Sequence, residues 1–358
     1  MGDQGTPARQ SLGMTSLTRV SGSLRRGVSS RHADATNLRL LLLLVLLIVL
    51  FLPVIGPKLL AFRTLQSMAF QMPELGILSL AMMVTLLSGG LDLSIIATAD
   101  LCALAMAFVL TREPHASGMA WFGWQILALA SGALVATAIG LLNGLVIAYV
   151  GVSPILVTLG TMTLVRGMAV GLTHGNVISG FPGWLLYLGN GTPAGIPAPL
   201  VVFAVIALPV AVILTRSPFG ISTAMIGSNE QATRFSGIDT RWALLKVYVL
   251  SALLSAAAAL LMMARFNSAN ADYGQSYLLV TILAAVLGGI DPLGGFGKVS
   301  GLVLALIVLQ FISSAFNLLG LSEFLTLAIW GAVLLAAGGV PALTAALGGV
   351  LPSQKKRR

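Results

Sequence analysis

The sequence predicts an all-α polytopic membrane protein with about ten transmembrane helices. Three observations predict it. Only 9% of the 358 residues are charged and 57% are hydrophobic, where a soluble domain carries roughly 25% charged residues. The apolar residues fall in runs near the roughly 20 residues that a bilayer core demands. The charges collect between those runs and in the tails, so the bilayer must act as solvent for most of the chain. Forty glycines and five tryptophans fit closely packed spans with interfacial anchors.

Residues 1–37 hold Arg9, Arg19, Arg25, Arg26 and Arg31 among frequent serine, threonine and glycine, without apolar periodicity. They read as a disordered basic tail. Leu38 to Val54 is the first span; the tail before it is too long for a signal peptide, and no small-residue cleavage site follows Pro53. The next spans are Ser67 to Leu87, Leu93 to Leu110, Ile126 to Val150, Ile155 to Leu172 and Leu200 to Leu214. Between the fifth and sixth, Phe181 to Pro199 is rich in glycine and proline and carries Trp184 and Tyr187, which suits a short helix at the interface. After a polar insert, Thr215 to Lys246, the seventh span is Ala243 to Ala264. The eighth, Leu278 to Leu287, is short and reads as a broken or half-buried helix. The ninth is Val299 to Phe316 and the tenth Ser322 to Ala337. A membrane domain thus covers 38–340, and a short basic tail, 341–358, ends in Lys355, Lys356, Arg357 and Arg358.

Ten spans put both termini on one side. Fifteen of the twenty lysines and arginines then face the cytoplasm. Lys58, Arg63, Arg112 and Arg265 lie outside, and Arg166 lies within the fifth span. This is the positive-inside bias, although eight spans would also keep both ends inside. The net charge of +9 is therefore a topology signal and implies no nucleic-acid partner. Cys102 is the single cysteine, which excludes an intrachain disulfide and a multi-cysteine metal site. His32, His115 and His174 have no metal-ligand spacing, so no metal site is expected. HExxH, GxSxG and the GxxxxGK[ST] phosphate loop are absent, so the chain is not read as an enzyme.

Two turns look alike: Leu87-Ser-Gly-Gly-Leu-Asp-Leu-Ser94 and Leu287-Gly-Gly-Ile-Asp-Pro-Leu-Gly-Gly295. Glycine permits a tight turn, and the aspartate can accept backbone hydrogen bonds where a helix restarts. Each is either a capped re-entry into the membrane or a broken helix lining a transport route.

The insert, with its stretch Gly227-Ser-Asn-Glu-Gln-Ala-Thr-Arg-Phe-Ser-Gly-Ile238, resembles the cytoplasmic coupling segment of ribose- and simple-sugar-type ABC transporter permeases, which reads approximately GGNPEAARLSGI. Gly227, Asn229, Ala232, Arg234, Ser236, Gly237 and Ile238 match it. The first glycine turn, Gly140-Leu-Leu-Asn-Gly144, Pro154 to Met162 and Leu287 to Gly297 also resemble family signatures. The resemblance covers Ser67 to Gly331 and departs most after Ser94, at Ile96, Ala97 and Asp100. It implies the type II-like ABC importer permease fold. It implies import of a simple sugar or related small polar solute, with MgATP on a separate ATPase subunit and no cofactor on this chain. The implied partners are that ATPase, a second permease subunit, identical or related, and an extracellular or periplasmic solute-binding protein. Localisation would be the bacterial inner membrane. The coupling residues would be Gly227, Asn229, Glu230, Ala232, Arg234, Phe235 and Gly237, within a cytoplasmic segment 216–242. Phe181 to Pro199 would help receive the delivery protein.

Candidate path residues are Asp92, Asp100, Asn143, Thr158, Thr161, Arg166, Phe316 and Asn317. Each also has a structural reading. Asp92 suits a helix cap. Asp100, seven residues deeper in an apolar run than a turn carboxylate would sit, must face protein or a wet cavity, and Arg166 is a candidate partner for it. Asn143, Thr158, Thr161 and Asn317 suit interhelical hydrogen bonds, and Phe316 suits packing. An ion-coupled secondary carrier using Asp92 and Asp100 is the nearest alternative function; a membrane scaffold is a weaker one.

Overall fold

The computed structural model describes residues 14–112, 118–322 and 324–335. The start of the N-terminal tail, the last two residues of the expected tenth span and the C-terminal tail 341–358 lie outside the described residues. Within them the chain is helical: α1 Met14–Ile55, α2 Phe62–Leu87, α3 Ile95–Thr111, α4 Met119–Leu145 and α5 Pro154–Thr173. A two-residue strand β1, Ile178–Ser179, precedes α6 Gly183–Asn190, α7 Ala198–Arg216, α8 Pro218–Ser228, α9 Glu230–Phe235 and α10 Thr240–Phe266. Then come β2 Ser268–Ala269, α11 Tyr277–Leu287, α12 Val299–Leu318 and α13 Phe324–Leu335.

Among the described residues, seven helices are long and apolar enough to cross a membrane. The third, eighth and tenth expected spans are the shorter α3, α11 and α13, of 10–17 residues. Against the expected count of about ten, with the eighth short, the described residues hold seven helices of full spanning length and three shorter apolar ones. α3 and α11 each adjoin one of the glycine turns; the irregular chain between α2 and α3 is largely buried in protein, whereas Asp291, Leu293 and Phe296 after α11 are exposed. At the other end of the chain, α1 begins at Met14, well inside the tail expected to lack structure. Once the apolar span has nucleated a helix, upstream residues extend it one hydrogen bond at a time, and the nearest upstream proline is Pro7.

The core is organised on α2 and α10. Of their most apolar windows 83% and 72% is buried in the bundle, against 6% for α1. α10 packs on α4, α2 and α3, and α3 on α4 and α5. The α4–α10 approach has a sequence cause. Gly132, Ala136, Gly140 and Gly144 recur every fourth residue, so they form one ridge of α4 without side-chain bulk. A Cβ on Gly140 would sit 2.7 Å from Val249 Cα, and one on Gly144 would sit 2.7 Å from Leu245 Cδ1.

At the far end of α10, β1 and β2 pair antiparallel, Ile178 with Ala269 and Ser179 with Ser268. The segment expected as an interfacial helix is tied down there. Asn190 Nδ2 donates to the carbonyls of Ala264 (3.0 Å) and Arg265 (3.3 Å), closing the C-terminus of α10. Trp184 Nε1 donates to Gln125 Oε1 on α4 at 3.1 Å.

The two glycine turns are one structural device used twice. Gly90 N donates to Thr85 O (3.1 Å), and Ile290 N to Ala285 O (3.1 Å). Gly89 (φ 81) and Gly289 (φ 80) take the left-handed conformation that closes such a helix end.

Replacing Gly140 by alanine should lower the stability of the isolated chain in detergent by about 1–3 kcal/mol, the usual range for overpacking. Gly160→Ala on α5, where a Cβ meets open space, should be neutral or mildly stabilising. Thermal unfolding of both variants checks this, and equal midpoints would contradict the packing account.

Candidate functional site

Four of the candidate path residues are brought together in a hydrogen-bonded network. Thr161 Oγ1 on α5 donates to Asn143 Oδ1 on α4 at 2.6 Å. Asn143 Nδ2 donates to Ser94 Oγ at 3.0 Å, and Ser94 Oγ to Asp92 Oδ1 at 2.6 Å. Ser94 N also donates to Asp92 Oδ1 (3.0 Å), and Ser251 Oγ on α10 to Asp92 Oδ2 (3.0 Å). Thr158 Oγ1 lies 2.8 Å from the Pro154 carbonyl and 3.2 Å from that of Leu91, so α5 is also tied to the turn directly. Asp92, Asn143, Thr158 and Thr161 are all buried. Burying the Asp92 carboxylate is tolerable because its two oxygens accept three hydrogen bonds.

The expected cap role of Asp92 is corrected. Ser94 is the residue at the start of α3, and its side chain makes no capping bond. Asp92 lies two residues upstream, where its carboxylate joins the turn to α10. Asp291 repeats the local half of this arrangement, accepting from Leu293 N at 2.9 Å, but it is exposed and binds no second helix among the described residues.

Of the remaining candidates, Asp100 lies within electrostatic reach of Arg166 and of Asp272, whereas Phe316 and Asn317 lie apart. Asp100 is buried on α3. Arg166 does not pair with it: its Nη2 lies 2.9 Å from Asp272 Oδ1, and both side chains are about half exposed. Asp272 also accepts from Gln275 Nε2 at 2.9 Å. Phe316 is half-buried in an aromatic group, with ring centroids 6.2 Å from Phe51 and 6.3 Å from Trp330. Asn317 is exposed near the end of α12. Neither touches the network.

The insert forms α8 and α9. Ser217 opens α8, accepting from Gly220 N at 3.2 Å. Asn229 caps α9 through its side chain, accepting from Ala232 N at 2.9 Å; asparagine suits this place because its short carboxamide reaches the unpaired N–H groups of a first turn. Gly237 ends the segment with φ 81, and Asp239 caps α10 by accepting from Trp242 N at 3.0 Å. Phe235 is 92% exposed. Glu230 and Arg234 are exposed too, and they form no ion pair with each other among the described residues. Ala232 and the capping Asn229 are likewise on the surface.

Gly227 anchors this segment to the bundle. A Cβ there would run into the carbonyl of Leu87 and the N–H of Gly295. Gly295 N donates to Leu87 O at 2.9 Å, so the two glycine turns are bonded to each other with Gly227 against the joint. Beside the joint, Leu293 is 84% and Phe296 60% exposed.

Several residues of this arrangement escaped sequence reasoning. Leu293 and Phe296 read there as parts of an apolar turn. Glu74, in the middle of α2, is 2% exposed and accepts from Arg265 Nη1 (2.6 Å) and Tyr277 Oη (2.9 Å) on Oε1. Its position inside an expected span was the available signal, by the same logic that singled out Asp100. Tyr248 is fully buried with its hydroxyl unbonded among the described residues, and a Cβ on Gly90 would collide with that hydroxyl.

Broken apolar helices, an internal polar network and a capped polar segment docked at one end define a polytopic membrane protein of the permease class. The family described as branched-chain amino acid transport system / permease component matches residues 64–338, and the chain belongs to that family. The autoinducer 2 import system permease protein LsrD of Enterobacter sp. (strain 638) is 34% identical over 302 residues, covering 82% of this chain and 89% of the relative. The ribose import permease protein RbsC of Bacillus subtilis (strain 168) is 33% identical over 294 residues, covering 81% and 88%. No solved structure matches the chain.

Asp92→Ala strips acceptors from three buried donors and should cost about 3 kcal/mol or more of stability in detergent, since each orphaned buried donor costs roughly 1–3 kcal/mol. Asp92→Asn keeps an acceptor oxygen and should cost less. Denaturant unfolding of the two variants checks the order; a reversed order would contradict the network.

Proposed function

We propose that this chain is the membrane-spanning subunit of an ATP-driven importer for a simple sugar or related small polar solute. It forms the translocation path, and α8–α9 couple it to a separate ATPase subunit that binds MgATP. The complex contains a second permease subunit and takes its solute from a soluble binding protein outside the membrane. Both termini and residues 216–242 face the cytoplasm of the bacterial inner membrane, on the distribution of lysine and arginine. The relatives that import ribose or autoinducer 2 support the solute class.

The observation that carries this reading is the build of α9. A six-residue helix, capped at its start and ended by a left-handed glycine, holds a phenylalanine 92% exposed at its tip. Its base is wedged between the two helix breaks through Gly227. An ordinary loop has no need to fix such a residue outward; an apolar anchor entering a groove on a partner does. ATP binding would draw the ATPase pair together and shift the preference between two membrane states. The carrier alternative draws no support from Asp92, whose oxygens are both committed to hydrogen bonds.

Two outcomes follow. Phe235→Asp and E230R should weaken ATPase association or uncouple hydrolysis from uptake by tenfold or more, while delivery from the binding protein stays intact. ATPase activity, uptake and subunit ratio on one reconstituted complex check this; wild-type values for both variants would make the segment an ordinary loop. For the buried carboxylate of α3, Asp100→Asn should reduce transport more than it reduces the amount of folded complex. Wild-type transport by both Asp100→Asn and Asp100→Leu would show that Asp100 has no polar role.

A further inference from the structure

The two glycine turns are alike in backbone and opposite in surface. After α2, Leu91 and Leu93 are half-buried and Asp92 is buried. After α11, Leu293 is 84% and Phe296 60% exposed, and Asp291 and Pro292 are exposed with them. Among the described residues, the bundle covers one turn and leaves the other bare. The function proposed above leaves Leu293 and Phe296 unassigned.

The bare loop is closed on itself. Asp291 N donates to Phe296 O at 3.0 Å, and Gly294 N to Asp291 O at 2.9 Å. Leu293 N donates to Asp291 Oδ1 at 2.9 Å. Gly295 N donates to Leu87 O at 2.9 Å and so fixes the loop to the end of α2. Gly294 (φ 94) and Gly295 (φ 89) supply the left-handed backbone that this path needs. The result is a fixed turn that holds two large apolar side chains outward. Apolar surface in water is unfavourable, and groups already held in place lose little further freedom when a partner covers them.

What covers them follows from where they stand. Asp291, exposed within the same closed turn, keeps that turn out of the hydrocarbon, where an unpaired charge is costly. The neighbour of the loop is the polar insert. A Cβ on Gly294 would lie 2.9 Å from Gly227 Cα, and one on Gly295 would lie 3.0 Å from Ser228 N. α9 starts two residues after Ser228 and is six residues long, about 9 Å at the helical rise. Phe235 therefore stands within one short helix of the loop. A specific protein interface takes roughly 800 Å² from each partner, a footprint wide enough to hold Phe235 and the loop together.

We propose that Leu293 and Phe296 form a second apolar anchor for the ATPase subunit, beside Phe235. The proposal rests on the importer reading, which supplies the ATPase, and adds to it a contact outside α8–α9. It also changes what the partner holds. A subunit that grips Phe235 alone holds the insert. One that grips Leu293 and Phe296 as well holds the break between α11 and α12 directly.

The test uses the complex in lipid nanodiscs, with the ATPase subunit that co-purifies with this chain. The photoreactive residue p-benzoylphenylalanine replaces Leu293 or Phe296, and Phe235 as the reference. Each position should cross-link to the ATPase subunit. Affinity is then measured by titrating labelled ATPase subunit onto the membrane subunits, for the Leu293→Ser/Phe296→Ser double variant and for Phe235→Ala. Each should weaken association about tenfold or more, the scale of losing a well-buried apolar anchor. Cross-links from positions 293 and 296 that reach only lipid, the second membrane subunit or this chain itself overturn the anchor. Unchanged affinity in the double variant overturns it too. If position 235 still cross-links to the ATPase in either case, the importer reading stands. If no ATPase subunit co-purifies, the importer reading falls, and the anchor with it.

Discussion

Everything in this bundle depends on satisfying backbone hydrogen bonds at two places where a helix stops inside protein. Lipid offers no partner for a free N–H or carbonyl, and each one left bare costs several kcal/mol. α2 ends at Leu87 and α11 at Leu287, and the chain after each is irregular. The breaks survive because they close on themselves through matching left-handed glycines and then on each other, through Gly295 N–H to Leu87 O. That bond needs the two backbones and the backbone of Gly227 to meet without side chains between them. The contact is closed at each of its members: a Cβ on Gly294 would lie 2.6 Å from the Gly89 backbone, and one on Gly295 would strike Ser228. Three stretches far apart in sequence thus constrain one another's composition.

The polar groups inside the bundle serve geometry more than net stability. An ionised carboxylate removed from water loses several kcal/mol of hydration even after relaxation. Three hydrogen bonds to Asp92, at up to about 3 kcal/mol each for bonds to a charge, roughly offset that loss without a large surplus. What they add is direction. An apolar seam between α4, α5 and α10 would admit neighbouring registers, whereas a Thr161–Asn143–Ser94–Asp92–Ser251 chain fits only one. The same division holds for Glu74 and Arg265, a pair whose attraction mainly repays the removal of two charges from water. Its consequence is a fixed orientation for Tyr277 at the start of α11, which donates to the same carboxylate.

Composition made the membrane class plain, and apolar runs located most spans to within a few residues, because a bilayer imposes a length on every span; α1 and α4 begin well before their expected starts, at Met14 and Met119. The same rule does not separate α3, α11 and α13 from full-length spans, since an apolar run shows that a segment is buried and not whether lipid or protein buries it. The pairing of the two glycine turns was legible as likeness, through Gly-Gly, an apolar residue and an aspartate, but their contact was not, because nothing in either stretch names the other. Asn143 and Thr161 stood out as polar residues in spans, and their mutual bond required the depth of each on its helix. Arg166 shows the opposite failure. Asp100 was its expected partner as another charge at membrane depth, yet Asp272, in a loop that returns to the end of α5, takes the arginine. Glu74 was open to the argument applied to Asp100, and its link to the α10–α11 loop was not.

On the proposed coupling role, movement of α9 can enter the bundle along the chain, through the Gly227 contact, and through the packing of Ile226 on Ala243 and Leu244 of α10. The covalent route runs from Phe235 through Gly237 into α10. Gly237 has φ 81, and a side chain there would meet open space. The packed route runs through Gly227, where no atom can approach more closely without displacing the Leu87 carbonyl or the Gly294–Gly295 backbone. Close-packed contacts transmit strain. Three residues beyond Gly89 stands Asp92, bonded to α10 through Ser251, and through Ser94 to Asn143 on α4 and so to Thr161 on α5. A push on α9 through Gly227 therefore reaches the ends of α2 and α11, and reaches α4, α5 and α10 together through a single turn. A connection of that kind favours a concerted change between two packed arrangements over independent adjustment of each helix, which is what an importer needs if its two sides are never to be open at once.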